Sequence, residues 1–420
     1  MTKLIGNAVI GQSGGPTAVI NSSAYGAIRA ALDAPEIGRV YGALNGINGI
    51  LNENLIDLGM EDPSELELMK NTPASALGSC RCKLKNPDED DTAYMRILEV
   101  FKKYNIRYFF YNGGNDSMDT CNKVSKFMLD NGYDCRVIGI PKTIDNDLCL
   151  TDHCPGYGSA AKYIATSVRE IFLDTTVYEN GAITVIEAMG RNAGWLTAAA
   201  ALSGIDGFGA DLICLPEVVF DLDAFIQKVK RIYSETGKCL IVVSEGIRDK
   251  EGKYIAEYGA DLVKTKDCFG HAQLGGLASF LTASLKAATG AKARGIELSL
   301  LQRCAGHCAS KTDIDEAFSA GMAAVSEAIR GATDKMVGFE REYIDGNYIC
   351  RTKLFDLSSV ANAEKTIPLD WINETGDGLN QKFIDYALPL IQGEPGNITE
   401  NGLSRYVKLK KIKAKPEDCA

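Results

Sequence analysis

Pro141-Lys142-Thr143-Ile144-Asp145-Asn146-Asp147 sets two carboxylates two residues apart beside a lysine. Such a loop suits proton abstraction, organisation of a magnesium ion and neutralisation of phosphoryl charge. A second stretch, Tyr111-Asn112-Gly113-Gly114-Asn115-Asp116-Ser117, places a glycine pair before a polar helix start. Its glycines permit close backbone approach to an anion, Ser117 can cap the helix or bind an oxygen, and Asp116 can face a divalent cation. In a third, Gly11-Gln12-Ser13-Gly14-Gly15-Pro16-Thr17, an apolar run gives way to a helical pattern, where backbone N–H groups and a helix N-terminus cradle phosphate. No Gly-Lys-Ser or Gly-Lys-Thr follows, and the spacing does not fit G-x-G-x-x-G, so neither the P-loop nor the dinucleotide fingerprint applies. Any one of these loops is equally well a capped turn. Three of them at successive strand ends mark the place where open α/β sheets bind ligands.

The elements that must carry these loops alternate along the first 250 residues. Strand-like runs are expected at Leu4 to Ile10, Arg107 to Tyr111, Cys135 to Ile140, Gly181 to Ile186, Asp211 to Leu215 and Cys239 to Ser244. Several are nearly continuous apolar runs, as for strands covered on both faces. Helical stripes separate them at Ala18 to Ala31, Ser117 to Asn131, Ser159 to Asp174 and Asp223 to Ser234. The pattern predicts an α/β fold of two doubly wound, mostly parallel sheets, with a Lys-rich, weakly periodic peripheral stretch from Pro395 onward.

Composition narrows the chemistry. The 420 residues include 45 Lys and Arg against 55 Asp and Glu, a formal charge of −10, which leaves no general attraction for nucleic acid or anionic lipid. A phosphate site must therefore be local. The 42 glycines exceed the average of roughly 7% and suggest many tight turns. The 13 cysteines are scattered and odd in number, and no run reaches the ~18 apolar residues of a membrane span, so a reducing cytoplasm is expected. With three histidines, His153, His271 and His307, an imidazole-rich metal site or a histidine triad is hard to assemble; Cys304, His307 and Cys308 cluster, without an evident fourth ligand. Chemistry falls to carboxylates, Lys and Arg.

Gly-Gly-Pro, Gly-Gly-x-Asp-Ser, Pro-Lys-Thr-Ile-Asp-Asn-Asp and Met189-Gly190-Arg191 together resemble the phosphofructokinase family, over about residues 4–339. The resemblance implies two α/β lobes with the active site in the cleft, phosphorylating the 1-hydroxyl of fructose 6-phosphate with Mg2+. It implies a catalytic region over residues 1–355, with a donor lobe of about 1–155 plus 302–355 and a sugar-phosphate lobe of about 156–301, followed by a C-terminal extension over 356–420. Asp145 then resembles the general base, with Lys142 and Arg191 as its catalytic companions. Thr143, Ile144, Met189, Gly190, Arg191 and Glu245 resemble the sugar-binding residues, and Arg294 and Arg303 the arginines that hold the 6-phosphate. Gly14, Gly15, Arg81, Gly114, Asp116, Ser117 and Lys142 resemble the donor-phosphate site, and Asn115, Asp116 and Asp147 the magnesium site.

The family divides by donor. Users of ATP resemble Gly-Gly-Asp-Gly-Ser, in which a glycine leaves space for the nucleotide α-phosphate; Asp116 stands there in this chain. Lys142 stands where ATP users carry a small residue, and its ammonium can reach a transferring phosphoryl group. Both features resemble the pyrophosphate-dependent branch and imply a reversible transfer in glycolysis or gluconeogenesis by a homo-oligomer, dimer or tetramer. Three departures remain. Asn115 replaces the usual magnesium aspartate, Leu300 stands where bacterial ATP enzymes have a sugar-contacting histidine, and Ala182 where they have an arginine lent by a neighbouring subunit. An ATP-dependent kinase, a non-catalytic regulatory subunit and a dinucleotide-binding protein are the alternatives; Asp145, Asp147 and Lys142 speak against the second and the glycine spacing against the third.

Overall fold

Apolar runs covered on both faces become the strands of two sheets in the computed structural model, which describes residues 3–179, 181–259, 276–360 and 364–416. His271 lies outside the described residues. In chain order the strands of these two sheets are β1 (Gly6–Gln12), β2 (Ile37–Ala43), β3 (Leu55–Asp57), β4 (Ile106–Gly113), β5 (Arg136–Pro141), β6 (Ile183–Ala188), β7 (Leu212–Cys214), β8 (Cys239–Ser244), β9 (Ala293–Glu297), β10 (Lys335–Ile344) and β11 (Asn347–Asp356), and a separate ribbon pairs Thr399–Glu400 with Leu403–Ser404. Seven form a sheet in the order β11-β10-β5-β4-β1-β2-β3, antiparallel at its two edges and parallel between them. Four form the all-parallel sheet β7-β8-β6-β9.

Alternate side chains of one strand enter opposite cores, as the side-chain period of two requires. Phe109 and Tyr111 of β4 join one cluster and Tyr108 and Phe110 the other. In β6, Ile183 and Val185 face one side and Ile186 and Ala188 the other. The helices Ile20–Asp33 and Lys311–Ile329 cover one face of the larger sheet and cross each other at backbone distance. A Cβ on Gly26 would stand 2.1 Å from the Phe318 carbonyl oxygen, and one on Gly321 2.0 Å from that of Ser23, so both crossings require glycine.

Two features of the fold depart from the sequence reading. The strands β10 and β11 form an unanticipated hairpin turning at Asp345 and Gly346, both with left-handed φ, 51° and 78°. Asp-Gly between such runs is the two-residue hairpin signal, so this element was readable. The chain after β11 is built into both lobes, and its last part, expected from Pro395 onward to be peripheral, pairs with the edge of the larger sheet. Ile367, Phe383, Ala387 and Leu390 are buried in the core of the smaller sheet's lobe. Further on, Ala414 N–H donates to the Leu55 carbonyl and Asp57 N–H to that of Ile412, at 2.9 Å each, which extends the β3 edge. Glu61 accepts from the N–H groups of Lys410 and Lys411 at 2.7 Å, so buried carboxylates take up backbone donors that a Lys-rich tail would otherwise leave to water.

Candidate active site

Strand register brings the three loops together. Gln12 of β1 lies beside Asn112 of β4, and Gly113 of β4 beside Pro141 of β5, so all three loops leave the larger sheet at its C-terminal edge. In the smaller sheet Ala188 of β6 pairs with Ser244 of β8, which sets Met189-Gly190-Arg191 next to Glu245. The two groups come near one another, since the charges of both Lys142 and Arg191 act on Asp145.

Lys142, buried at 5% exposure, holds one side of a cationic cradle. A Cβ on Gly14, whose φ of 78° is left-handed, would lie 3.2 Å from the Lys142 ammonium, and a Cβ on Gly15 3.0 Å from a guanidinium nitrogen of Arg303. The two glycines thus keep clear the space that two cations face. Burial pushes the Lys142 ammonium down to about 8, against the pull of Asp145 and Asp147 and with the push of Arg303 and Arg81. Burial, then Arg81, likewise makes Arg303 less basic than usual. Two cations facing a glycine turn, with the charge of a third acting on both, suit a small, highly charged anion.

Across the same loop the carboxylates are held in the opposite direction. Burial raises the Asp145 carboxyl above its ordinary range, opposed by Lys142 and Arg191, and the Asp145 N–H donates to Thr143 Oγ1 at 3.0 Å. Burial and then the neighbouring Asp145 push Asp147 up to about 7. Asn115 Nδ2 donates to Asp147 Oδ2 at 3.3 Å, while Asn115 Oδ1 is buried without a hydrogen-bond partner. A neutral carbonyl oxygen left unsatisfied beside a carboxylate is a hard-oxygen pair of the kind a magnesium ion takes. Asp116 turns elsewhere: its carboxylate stands 3.3 Å from the Lys83 ammonium. The structure therefore brings together Asn115 and Asp147 of the expected metal set, with Asp116 in an ion pair at its edge.

On the sugar-lobe side Gly190 N–H donates to Glu245 Oε1 at 3.3 Å and Met189 N–H to Gln302 Oε1 at 3.2 Å. Burial, with Asp145 adding, raises Glu245 to about 7. Arg191 Nε is buried without a partner, so its guanidinium is set for a group the chain itself does not supply.

Four expected residues sit differently from their readings. Gly114, not Ser117, takes the cap position of the helix Asn115–Asp130, and Ser117 lies buried inside its first turn. The Ile144 side chain packs in the core with Tyr157 and Trp195, because it is the one apolar residue of a loop that must be anchored somewhere. Arg303 faces the Gly15 turn, beside Lys142. Arg294 lies at the start of β9, half-exposed and 3.4 Å from Asp174, opposite Thr184 and so five residues, roughly 16 Å at about 3.3 Å per residue, from Met189. One chain does not bring Arg294 to this site.

Sequence reasoning missed the segment that follows β11. Glu364 bridges to Leu148, its carboxylate accepts from Asn192 Nδ2 at 3.1 Å, and it pushes Asp145 and Asp147 further up. Lys365 N–H donates to the Asp147 carbonyl at 2.7 Å, and its ammonium to the Thr151 and Asp152 carbonyls at 3.1 and 2.7 Å. No local signal could have found them, since their partners lie some 200 residues away, 214 for Lys365 and Thr151. Among the described residues the group placed to share a metal ion is His153, Glu316 and Cys350, but both imidazole nitrogens are already taken, by Asp152 at 2.8 Å and Glu316 at 2.7 Å. Cys304, His307 and Cys308 form no such group.

The chain matches the phosphofructokinase family over residues 7–296. It is 45% identical over 96% of its length, and 96% of the relative's, to the pyrophosphate–fructose 6-phosphate 1-phosphotransferase of Halomonas elongata. It is likewise 45% identical, over 97% of both chains, to the protein of that name from Xanthomonas campestris. Its fold superposes on the crystal structure of the pyrophosphate-dependent phosphofructokinase from Nitrosospira multiformis with a TM-score of 0.88, at 40% identity and 98% coverage of both chains.

Proposed function

The chain belongs to the phosphofructokinase family, and from that premise we propose that it transfers the phosphoryl group of pyrophosphate to the 1-hydroxyl of fructose 6-phosphate. The observation that carries this reading is that Lys142 and Arg303 face the Gly14-Gly15 turn, with the charge of Arg81 acting on both, and that Lys142 shares its loop with the half-buried Asp145. Asp145 accepts the hydroxyl proton as the O1–P bond forms and the bridging P–O bond of pyrophosphate breaks; orthophosphate leaves toward the cationic cradle. The raised Asp145 carboxyl is a better acceptor near neutral pH than an ordinary aspartate. Lys142, charged below about 8, compensates the departing phosphate.

Magnesium fits the pair Asn115 Oδ1 and Asp147, and when bound there supplies charge neutralisation for the phosphates. Arg191 and Glu245 orient the sugar phosphate. Arg294 can serve such a site only from a second copy, in keeping with a homo-oligomer. Among the described residues no helix is long and apolar enough to cross a membrane. The described cysteines are free, which suits a reducing compartment. The family's one-anhydride-for-one-ester exchange supports a reversible step serving glycolysis or gluconeogenesis.

The test is a donor exchange. With fructose 6-phosphate and magnesium, the purified chain should form the 1,6-bisphosphate from pyrophosphate and little or none from ATP; preference for ATP overturns the reading. Arg303→Met should raise KM for both phosphorylated substrates, by about tenfold or more, since a lost charge-assisted pair costs about 1.5–3 kcal/mol. A change confined to fructose 6-phosphate would take its guanidinium off the donor cradle.

A further inference from the structure

Asn146 lies between the base and the metal-side carboxylate and has no part in the chemistry above, yet it is wholly buried with a left-handed φ of 55°. Asparagine takes this backbone more readily than other side-chain-bearing residues, because its short amide can bond locally. Here two side-chain bonds hold it. Cys154 N–H donates to Asn146 Oδ1 at 2.9 Å, and Asn146 Nδ2 donates to the Tyr386 hydroxyl oxygen at 2.8 Å. That hydroxyl donates in turn to the Asp152 carbonyl at 2.8 Å, to which the Lys365 ammonium, earlier in the same segment, also donates. The Tyr386 ring has little room to shift, with Trp195 and Trp371 each 5.2 Å away by ring centroid and the Arg341 guanidinium 4.6 Å from its centre.

Resting on the transfer reading above, we propose that Tyr386 is a positioning residue for phosphoryl transfer. Acting through Asn146, it fixes the directions in which Asp145 and Asp147 leave the loop. These two residues flank Asn146, so rotation of its backbone would swing the base and the metal-side carboxylate apart. Misplacing a reacting group by about 1 Å can cost about 10²-fold in rate, which is the scale on which such a hold matters. The tail thereby contributes to turnover without touching substrate.

Tyr386→Phe removes the hydroxyl and keeps the ring, so the aromatic packing survives. We expect kcat to fall about tenfold or more while KM for each substrate stays within about threefold and the thermal midpoint within a few degrees. Asn146→Gly tolerates the left-handed backbone but loses both side-chain bonds, and it should also lower kcat. The double variant should then be no slower than Asn146→Gly alone, because the tyrosine acts through a group already removed. A Tyr386→Phe enzyme within about twofold of the parent in kcat, or losses that multiply in the double variant, would overturn the proposal. A parent without pyrophosphate-dependent activity would overturn instead the reading on which it rests.

Discussion

Asp145→Asn should reduce kcat by about 10²- to 10⁴-fold and leave the apparent affinity for fructose 6-phosphate within a few-fold of the parent. The amide has the shape of the carboxylate but cannot take the hydroxyl proton. The Asp145 N–H bond to Thr143 Oγ1 is a backbone contact and survives the change, so the loop keeps its form. Burial raises the Asp145 carboxyl, and a base must be deprotonated to act. The acid limb of kcat/KM in the parent should therefore lie above the ordinary carboxylate range, with activity falling as pH drops through it. Asp147 and Glu245, each pushed up to about 7, lie in the same field, so the limb belongs to the cluster and not to one residue. Steady-state kinetics across pH with both substrates are the measurement, and turnover equal to the parent's would remove Asp145 from the role of base.

How much of this could be read from the residues follows from where each partner sits in the chain. The three loops at the ends of β1, β4 and β5 were legible because each is a short local pattern, apolar run then glycine or carboxylate, and parallel strands deliver such loops to one edge. Lys142 and Asp145 needed no tertiary knowledge to be paired, standing three apart in one loop. Arg303 by its type alone reads as a solvated surface arginine; only the family resemblance singled it out, and its approach to Gly15 depends on the turn after β9. The hold on Asn146 was not legible at all: Tyr386 is 240 residues away and belongs to a helix whose sequence, Gln381–Ala387, reads as an ordinary half-buried surface helix. The Lys-rich tail misled for a related reason. Its charges say solvent, while its backbone is claimed by Glu61, Glu65 and the β3 edge.

Replacing both Asp116 and Lys142 with Gly should cost most of the pyrophosphate activity, about 10²-fold or more, and produce measurable though poor activity with ATP. Each half of the change has its own physical cause. Lys142 is buried against the Gly14 turn and lies in the field of Asp145 and Asp147. Its loss removes a cation that offsets a small, highly charged donor, and removes the charge that opposes protonation of Asp145. Asp116 stands in the first turn of the helix Asn115–Asp130, where an anion's backbone donors are found, and its negative charge repels a nucleotide α-phosphate there. Its removal also frees Lys83, now 3.3 Å from that carboxylate, to meet the longer polyphosphate chain. Asp116→Gly alone should therefore weaken discrimination against ATP while retaining much of the pyrophosphate rate, and Lys142→Gly alone should lose the pyrophosphate rate without gaining ATP. The ATP rate of the double variant should remain small, because clearing space for one phosphate builds no surface for adenine. Initial rates with each donor at saturating fructose 6-phosphate and magnesium separate these outcomes. A double variant that keeps its pyrophosphate rate would move donor selection away from these two side chains.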